Sequence, residues 1–593
     1  MKTINSTTRL LLFMLCLLCA AGCHKKIEPE TEADPETDPE LPIASGTAGN
    51  LAWILSADGT LTIRGKGEMP DYTDWYAQFA PWYEYRDEIS GVVIGDSVSS
   101  IGNYAFYRCS SLTSVTIPNS IISIGQKSFR DCSGLMSITI GNLVKSIEEN
   151  AFYGCIGLTS VTIPNSVKSI GSFAFASCTD LTSITIGNSV TSIGGFAFSG
   201  CTGLETVTIP NSVTDIVNAV FFNCTDLTSI TIGNSVSSIE YGAFLGCTSL
   251  TSINVDDSNP AYSSEDGVLF NKTKTMLILY PAGKMGAYTV PNSVADIGES
   301  AFYNCTALTS VTIPNSVTDI GEYTFYGCSD LTSINVDHSN TVYGSEDGVL
   351  FNKTKTTLIQ YPFGKTGTYI IPNSVTDIGN YAFSGCSGLT SVTIGNSVTK
   401  IKSSIFAYCS GLTSVIIPNS VENIGSYAFS YCSSLKSITI PNSVAEIGHS
   451  AFSYCSSITE VTIPNSVTYI GSEAFRGSSN LTTVNFNAVN CAAMESILRH
   501  NLQAGIYYTF YGCNNLTTVN IGSEVTIIPD NAFGGCSKLT SITNHASTPQ
   551  TIGANAFDGV NRTTCTLRVP KASIDAYRAA DGWKDFENIV AIE

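Results

Sequence analysis

Between about residues 90 and 560 the chain places its apolar side chains in one recurring order. In the copy spanning 158–178, Leu158, Val161 and Ile163 alternate with short polar residues, which predicts a brief strand with Val161 and Ile163 facing inward and Thr162 facing out. Pro164-Asn165 then ends the strand, because proline fixes φ and has no N–H to give to a ladder. Val167 to Ile170 reads as a second short extended run that Gly171 closes. Ala174, Phe175 and Cys178 follow at helical spacing, so a turn or two of helix is expected to complete the coil.

The order repeats with a fixed step. Cysteines stand at 109, 132, 155, 178, 201, 224 and 247, each 23 residues after the last, and again at 305 and 328 and at 386, 409, 432 and 455. A phenylalanine lies three residues before each, and following it through Phe475, Phe510, Phe533 and Phe557 gives 17 copies. A period of this size marks a solenoid in which no repeat buries its own apolar face, so stacking builds one continuous core. At about 4.8 Å per strand, 17 copies make a body on the order of 80 Å long. The expected fold is an α/β leucine-rich-repeat solenoid rich in short parallel strands. It would run over 93–560, between an N-terminal cap at 45–92 and a C-terminal cap at 561–593.

Two units are lengthened, at about 254–290 and 335–371. Each contains the run Ser-Glu-Asp-Gly-Val-Leu-Phe-Asn-Lys-Thr-Lys-Thr, at 264–275 and again 81 residues later at 345–356. Asp-Gly is a turn signal, and Val268–Asn271 against Met276–Tyr280 reads as a hairpin projecting from the rung, so the pair would form two knobs. Lys272, Lys274 and Lys284, and their counterparts Lys353, Lys355 and Lys365, make each knob locally basic beside a tyrosine, Tyr280 or Tyr361, expected to be exposed. Structural elaboration and a contact site are both open readings. A third insertion at about 487–507 has Cys491, Met494, Ile497, Leu498 and Leu502 at helical spacing, a pattern that more often packs on a rung than binds.

All four tryptophans sit at the ends: Trp53, Trp75 and Trp82 before the first full repeat and Trp583 after the last. With Tyr72, Tyr76, Phe79, Tyr83 and Tyr85 the first group is either a sugar-stacking platform or, the reading favoured here, a hydrophobic lid on an otherwise exposed core. Ser573 before Ile574–Ala580 reads as an N-capped helix over the last rung.

Charge narrows the function classes. Lys+Arg number 29 against 49 Asp+Glu, a formal net charge of −20, which lacks the basic footprint that nucleic acid requires. Five histidines are scattered without a recurring nucleophile or acid, and no phosphate loop or zinc-protease motif occurs, so no catalytic residue, metal or cofactor is assigned. The acid pairs Asp256-Asp257 and Glu265-Asp266 suit solvated turns better than calcium. Disulfides between rungs are disfavoured: equivalent Cβ atoms on adjacent strands stand about 4.8 Å apart, beyond the usual reach of a bridge, so the cysteines are expected to form a buried ladder of small thiols.

At the amino terminus, Lys2 and Arg9 precede the apolar run Leu10–Ala21, the order of a secretory signal (residues 1–22). Residues Cys19 to Cys23 resemble the lipobox of bacterial lipoproteins, with Ala20 where leucine is usual; the resemblance implies lipid attachment at Cys23. From 23 to 44 the chain is acidic and interrupted by Pro29, Pro35 and Pro39, an extended tether.

The recurrent Leu158, Val161, Ile163, Pro164 and Asn165 pattern, then Ile170-Gly171, Ala174-Phe175 and Cys178, resembles the BspA-like family of bacterial leucine-rich-repeat surface proteins. The resemblance implies a non-enzymatic, exported and lipid-anchored outer-membrane protein, at the cell surface, that recognises or adheres to a protein or glycan of host matrix or of other bacteria. A passive coat or spacer is the alternative, and an enzyme the remote one. The broad outward face of the strands is a carpet of serine and threonine. Candidate contacts are sought where that carpet breaks, at Ile416, Glu460 and the rungs of Asn254, Asn335, Asn485 and Asn520, and at the lysines and tyrosines of the two knobs.

Overall fold

The computed structural model describes residues 41–74, 78–240, 242–491, 493–494 and 508–593. The expected signal, Cys23 and nearly all of the tether lie outside the described residues, as do Trp75, Tyr76 and most of the 487–507 insertion.

The body is a β-solenoid of about 21 turns. Each regular turn carries a three- or four-residue strand such as Ser160–Thr162 and a two-residue strand such as Ser169–Ile170. Both pair in parallel with the next copy and without slippage: Val161 lies opposite Ile184, and Ile170 opposite Ile193. Val161 is buried between exposed Ser160 and Thr162, as the alternation predicts. At the corner that follows, Asn165 Oδ1 accepts the backbone N–H of Asn188 one rung on, at 2.8 Å, and Asn119 does the same for Asn142. The corner asparagine thus closes a backbone donor that the strand ladder has left behind.

The expected helix is absent. Around each core phenylalanine the chain alternates between right- and left-handed conformations: Phe173 (φ 57°) and Ser177 (φ 60°) flank Phe175, and Tyr427 (φ 57°) and Tyr431 (φ 61°) flank Phe429. Two left-handed residues four apart forbid a helix. They also aim alternate N–H groups out of the rung. Phe173, Phe175 and Ser177 donate to Gly195, Ala197 and Ser199 of the next rung, while Ala174, Ala176 and Cys178 donate three residues back within their own. The segment satisfies its backbone as a ladder, which is why helical spacing of apolar residues misled.

Because identical side chains recur on stacked rungs, the phenyl rings stack too. Phe106 and Phe129 have centroids 4.9 Å apart in a row that reaches Phe244, and after the inserted rungs a further row runs through Phe452 and Phe475 at 5.3 Å to Phe557. Trp82 covers Phe106 at 6.0 Å and is itself met by Trp53 at 5.9 Å; Trp583 meets the last ring, Phe557, at 5.8 Å. The described tryptophans are buried lids. At the carboxyl end Ile574–Ala579 is helical, but Ser573 does not cap it: its hydroxyl donates instead to the Ser547 carbonyl at 2.7 Å, tying the lid to the last rungs.

The 17 described cysteines are all free and buried. Most donate their S–H to the carbonyl of the phenylalanine one rung earlier, as Cys132 does to Phe106 (3.0 Å), and Ser478 keeps the same bond to Phe452 at 3.3 Å where the cysteine is replaced. Burial pushes the thiols of Cys109, Cys409 and Cys455 up to about 12.

The lengthened units are not knobs. Tyr262–Glu265, Val268–Asn271 and Met276–Leu279 form an antiparallel meander, and Met276–Leu279 then pairs in parallel with Asp296–Ile297 of the next regular rung. Val268, Leu269 and Phe270 are wholly buried. The second unit repeats this with Tyr343–Glu346, Val349–Asn352 and Thr357–Gln360. Each hairpin is folded into the stack as an inserted rung, because Val-Leu-Phe has a core to enter. These rungs also divide the core into three blocks, Ala48–Leu269, Val268–Leu350 and Val349–Ile589.

Candidate functional site

The candidate contacts of the inserted rungs fall into two groups. Tyr280 and Tyr361, expected to be exposed, are buried: each takes the phenylalanine position of its rung and stacks on the next ring, Phe302 at 5.1 Å and Phe383 at 5.0 Å. Burial raises the Tyr280 phenol to about 12. A Tyr-Pro step at the end of a hairpin resembles an exposed tip in sequence, yet here it is the substitute for the ladder phenylalanine.

The lysines lie at the surface, each bonded within its own rung. Lys274 pairs with Glu265 (2.6 Å) and Lys355 with Glu346 (2.8 Å). Lys272 donates to the Asp257 carbonyl and Lys284 to that of Asp266; Lys353 and Lys365 do the same to His338 and Asp347. They brace the meander, and the basic patch read from sequence is largely answered by these acceptors.

On the strand face, Ile416 is 60% exposed at the end of Ser414–Ile416, and Glu460 is exposed at the start of Glu460–Ile463. Glu460 accepts from Asn485 at 2.6 Å, and Asn485 in turn accepts from Asn520 at 2.8 Å, a short amide row across three rungs. One rung separates Ile416 from Glu460, and at the strand ends an open hollow of about 670 Å³, bordered by Thr439, Thr462 and the corner residues Asn442, Asn465 and Asn487, runs beside them.

The opposite edge, built from the left-handed turns, is different. The residue two after the ladder phenylalanine is glycine in nine of the 17 copies, the inexpensive choice at φ near +70°. In three consecutive rungs it is tyrosine: Tyr408, Tyr431 and Tyr454, at φ 62°, 61° and 58°. Their rings stack at 4.8 and 4.6 Å, and the Arg476 guanidinium lies 5.7 Å from the Tyr454 ring, with Tyr511 on its other side at 5.8 Å. Tyr408 is 55% exposed and Tyr431 41%. Beside this row runs a groove of about 350 Å³, with Tyr381 and Tyr427 on its other side and Ser384, Ser430 and Ser453 among its lining. Ser430 and Ser453 are hydrogen-bonded at 2.7 Å, and Glu473 holds Arg476 at 3.0 Å.

Stacking turns the ring faces toward one another and leaves the edges and hydroxyls to solvent. The groove therefore offers a fixed row of phenol edges over a serine floor, closed by a guanidinium. A signal for it stands in the sequence, Tyr408-Cys409, Tyr431-Cys432 and Tyr454-Cys455. Reading it requires knowing that the residue before each cysteine is left-handed and faces out. Among the described residues no group of three or more His, Cys, Asp or Glu gathers as a metal would require.

The family model of the BspA type leucine-rich repeat region matches residues 82–178, 145–266, 280–370, 356–482 and 505–580, well over half of the chain. Among solved structures, a leucine-rich repeat protein from Eubacterium ventriosum is 28% identical over 70% of this chain and 96% of its own, with a TM-score of 0.40. One from Bacteroides ovatus is 23% identical over 92% and 98%, with a TM-score of 0.33. A leucine-rich cell surface protein from Faecalibacterium prausnitzii is 26% identical over 84% and 94%, at 0.30. No curated protein matches. The repeat order, the phenylalanine and cysteine ladders and the extent of the family match make this chain a member of the BspA type leucine-rich-repeat family.

Proposed function

We propose that the chain is a non-enzymatic cell-surface recognition protein, exported and held to the outer membrane by lipid on Cys23, and that it docks a protein partner through the groove of Tyr408, Tyr431 and Tyr454. A host-matrix protein or a surface protein of another bacterium is the class of partner that an extracellular stack would meet. The observation that carries the reading is the set of three tyrosines at left-handed positions where glycine costs less. Eight copies carry a side chain at this position, and these three are the ones that carry an aromatic ring there, stacked on consecutive rungs as one continuous surface feature. Tyrosine and arginine are the side chains that dominate protein interfaces, and serine is their usual companion where contacts must adapt. Rings already fixed by stacking lose little freedom on binding. The edge-on presentation favours a protein over a glycan, since a sugar ring stacks on an aromatic face.

The test replaces all three with glycine, the residue of neighbouring rungs. Binding to immobilised matrix proteins, measured by surface plasmon resonance, is expected to be lost while circular dichroism is unchanged. Undiminished binding overturns the groove and returns attention to Ile416 and Glu460 on the strand face and to the inserted-rung lysines. The anchor is tested separately: Cys23→Ser is expected to move the protein from the membrane fraction to the soluble one, and metabolic acyl labelling that survives the change refutes it.

A further inference from the structure

The inserted rungs are copies 81 residues apart, so every side chain where the first meets the rung before it has a counterpart at the second. The second junction is closed by rings. Tyr323 and Tyr381 meet at 5.3 Å, Phe363 meets Tyr326 at 5.5 Å, and a cavity of about 170 Å³ is left. At the first junction the counterparts of Tyr323, Phe363 and Tyr381 are Gly242, Ala282 and Ser300. Among the described residues three large aromatic side chains are replaced by three of the smallest, and the cavity grows to about 390 Å³; Tyr241, between Glu240 and Gly242, lies outside the described residues. That is within the usual range for a small-molecule pocket.

Its walls remain apolar, with Phe244, Leu269, Ile278, Leu279 and Tyr280 among them and Met276 beside them where the second junction has Thr357. The polar members have one sign. Exposed Glu240 and Glu299 line the pocket, and among the described residues no lysine or arginine does. The second junction has Gly321 and Asn380 at those two places. Glu240 uses one oxygen on the Asn218 N–H at 2.8 Å. The Ser300 hydroxyl, in a residue more than nine-tenths buried, has no hydrogen-bond partner.

We propose that the first junction is a binding site for an arylalkylamine, a small molecule with one aromatic ring and a cationic amine a few bonds away, of which tyramine is the simplest phenolic case. The filled junction identifies the ring, since aromatic rings occupy the space emptied here. The two carboxylates identify the charge. This site is independent of the tyrosine groove, and either proposal stands if the other fails.

The experiment titrates the purified full chain with tyramine by isothermal titration calorimetry. Tyrosol (the same ring, uncharged), 4-hydroxyphenylacetate (the same ring, anionic) and butylamine (the cation without a ring) serve as controls. One saturable site for tyramine is expected, about tenfold tighter than for any control. Ala282→Phe with Ser300→Tyr, which installs the second junction's residues, is expected to abolish binding while the unfolding midpoint holds or rises. Should that variant misfold, Leu279→Gln, the residue found at 360, is expected to weaken binding. Glu240→Gln with Glu299→Gln is expected to bring tyramine down to the affinity of tyrosol, leaving tyrosol unchanged. Absence of saturable tyramine binding, equal binding of tyrosol, or full binding by both the filled variant and Leu279→Gln overturns the proposal.

Discussion

The strand face and the turn edge are written by the same 23-residue period, yet they differ in what the backbone allows. On the strand face the pleat fixes which positions point outward, and serine and threonine fill them with little local consequence. On the turn edge the outward positions are left-handed, so any side chain other than glycine there carries a conformational cost of roughly 1–2 kcal/mol. A single departure from pattern is therefore weak evidence on the first surface, while a run of one bulky residue type counts for more on the second. Ile416 is merely an exposed apolar residue, while Tyr408, Tyr431 and Tyr454 are a row held against local preference.

The largest effect is expected inside, where both surfaces share one support. Phe429→Ala removes a ring stacked between Phe406 at 5.2 Å and Phe452 at 5.3 Å and should cost about 3–5 kcal/mol in urea unfolding. A cost as small as that of a surface change would show that the stack, and with it the rigidity of the turn edge, is not as described.

Next is the response to alkali. The thiols of Cys109, Cys409 and Cys455 titrate at about 12 in the folded chain, against an ordinary 9.0. A folded pKa above the unfolded one means that the unfolded chain loses its protons first. This stabilisation is therefore complete below pH 9 and falls as the pH rises from there toward 12. Urea midpoints should be flat on the neutral side of that window and decline within it, and the thiols should react with alkylating reagents only after unfolding. Rapid alkylation of the native chain would contradict the buried ladder.

Smaller still is the expected change in stability for Tyr431→Gly. Relief of the left-handed strain offsets the lost ring contacts, so stability should stay within about 1 kcal/mol, while affinity for the partner drops about tenfold. A large loss of stability would instead assign the tyrosine row a structural role. The smallest effect belongs to the strand face, where Ser437→Ala should change neither stability nor binding by more than about 0.5 kcal/mol.

Much of this was legible beforehand, for a physical reason. A rung that copies its neighbour must repeat its buried residues, so Phe175 and Cys178 reveal the period, and the alternation around Val161 reveals the strand and its outward side. Conformation in the turns was not legible, because Ala174, Phe175 and Cys178 have the same spacing in a left-and-right-handed ladder as in a helix. The inserted rungs misled for a related reason. Asp266-Gly267 correctly marks a hairpin, but whether that hairpin stands out or folds in depends on the space beneath it, and only the burial of Val268, Leu269 and Phe270 reveals that. The tyrosine row was visible as letters, yet it lacked meaning until its backbone conformation was known.

The division of the core at the two inserted rungs gives the molecule a mechanical character. With the chain anchored at Cys23 and docked at Tyr408–Tyr454 as proposed, a pull between the two would run lengthwise through the first two blocks and cross both seams, at Val268–Leu269 and at Val349–Leu350. The rungs beyond Arg476 carry none of that load. Under tension such a stack lengthens in block-sized steps that begin at the seams, so a bound partner is held by a line that yields in stages before it breaks.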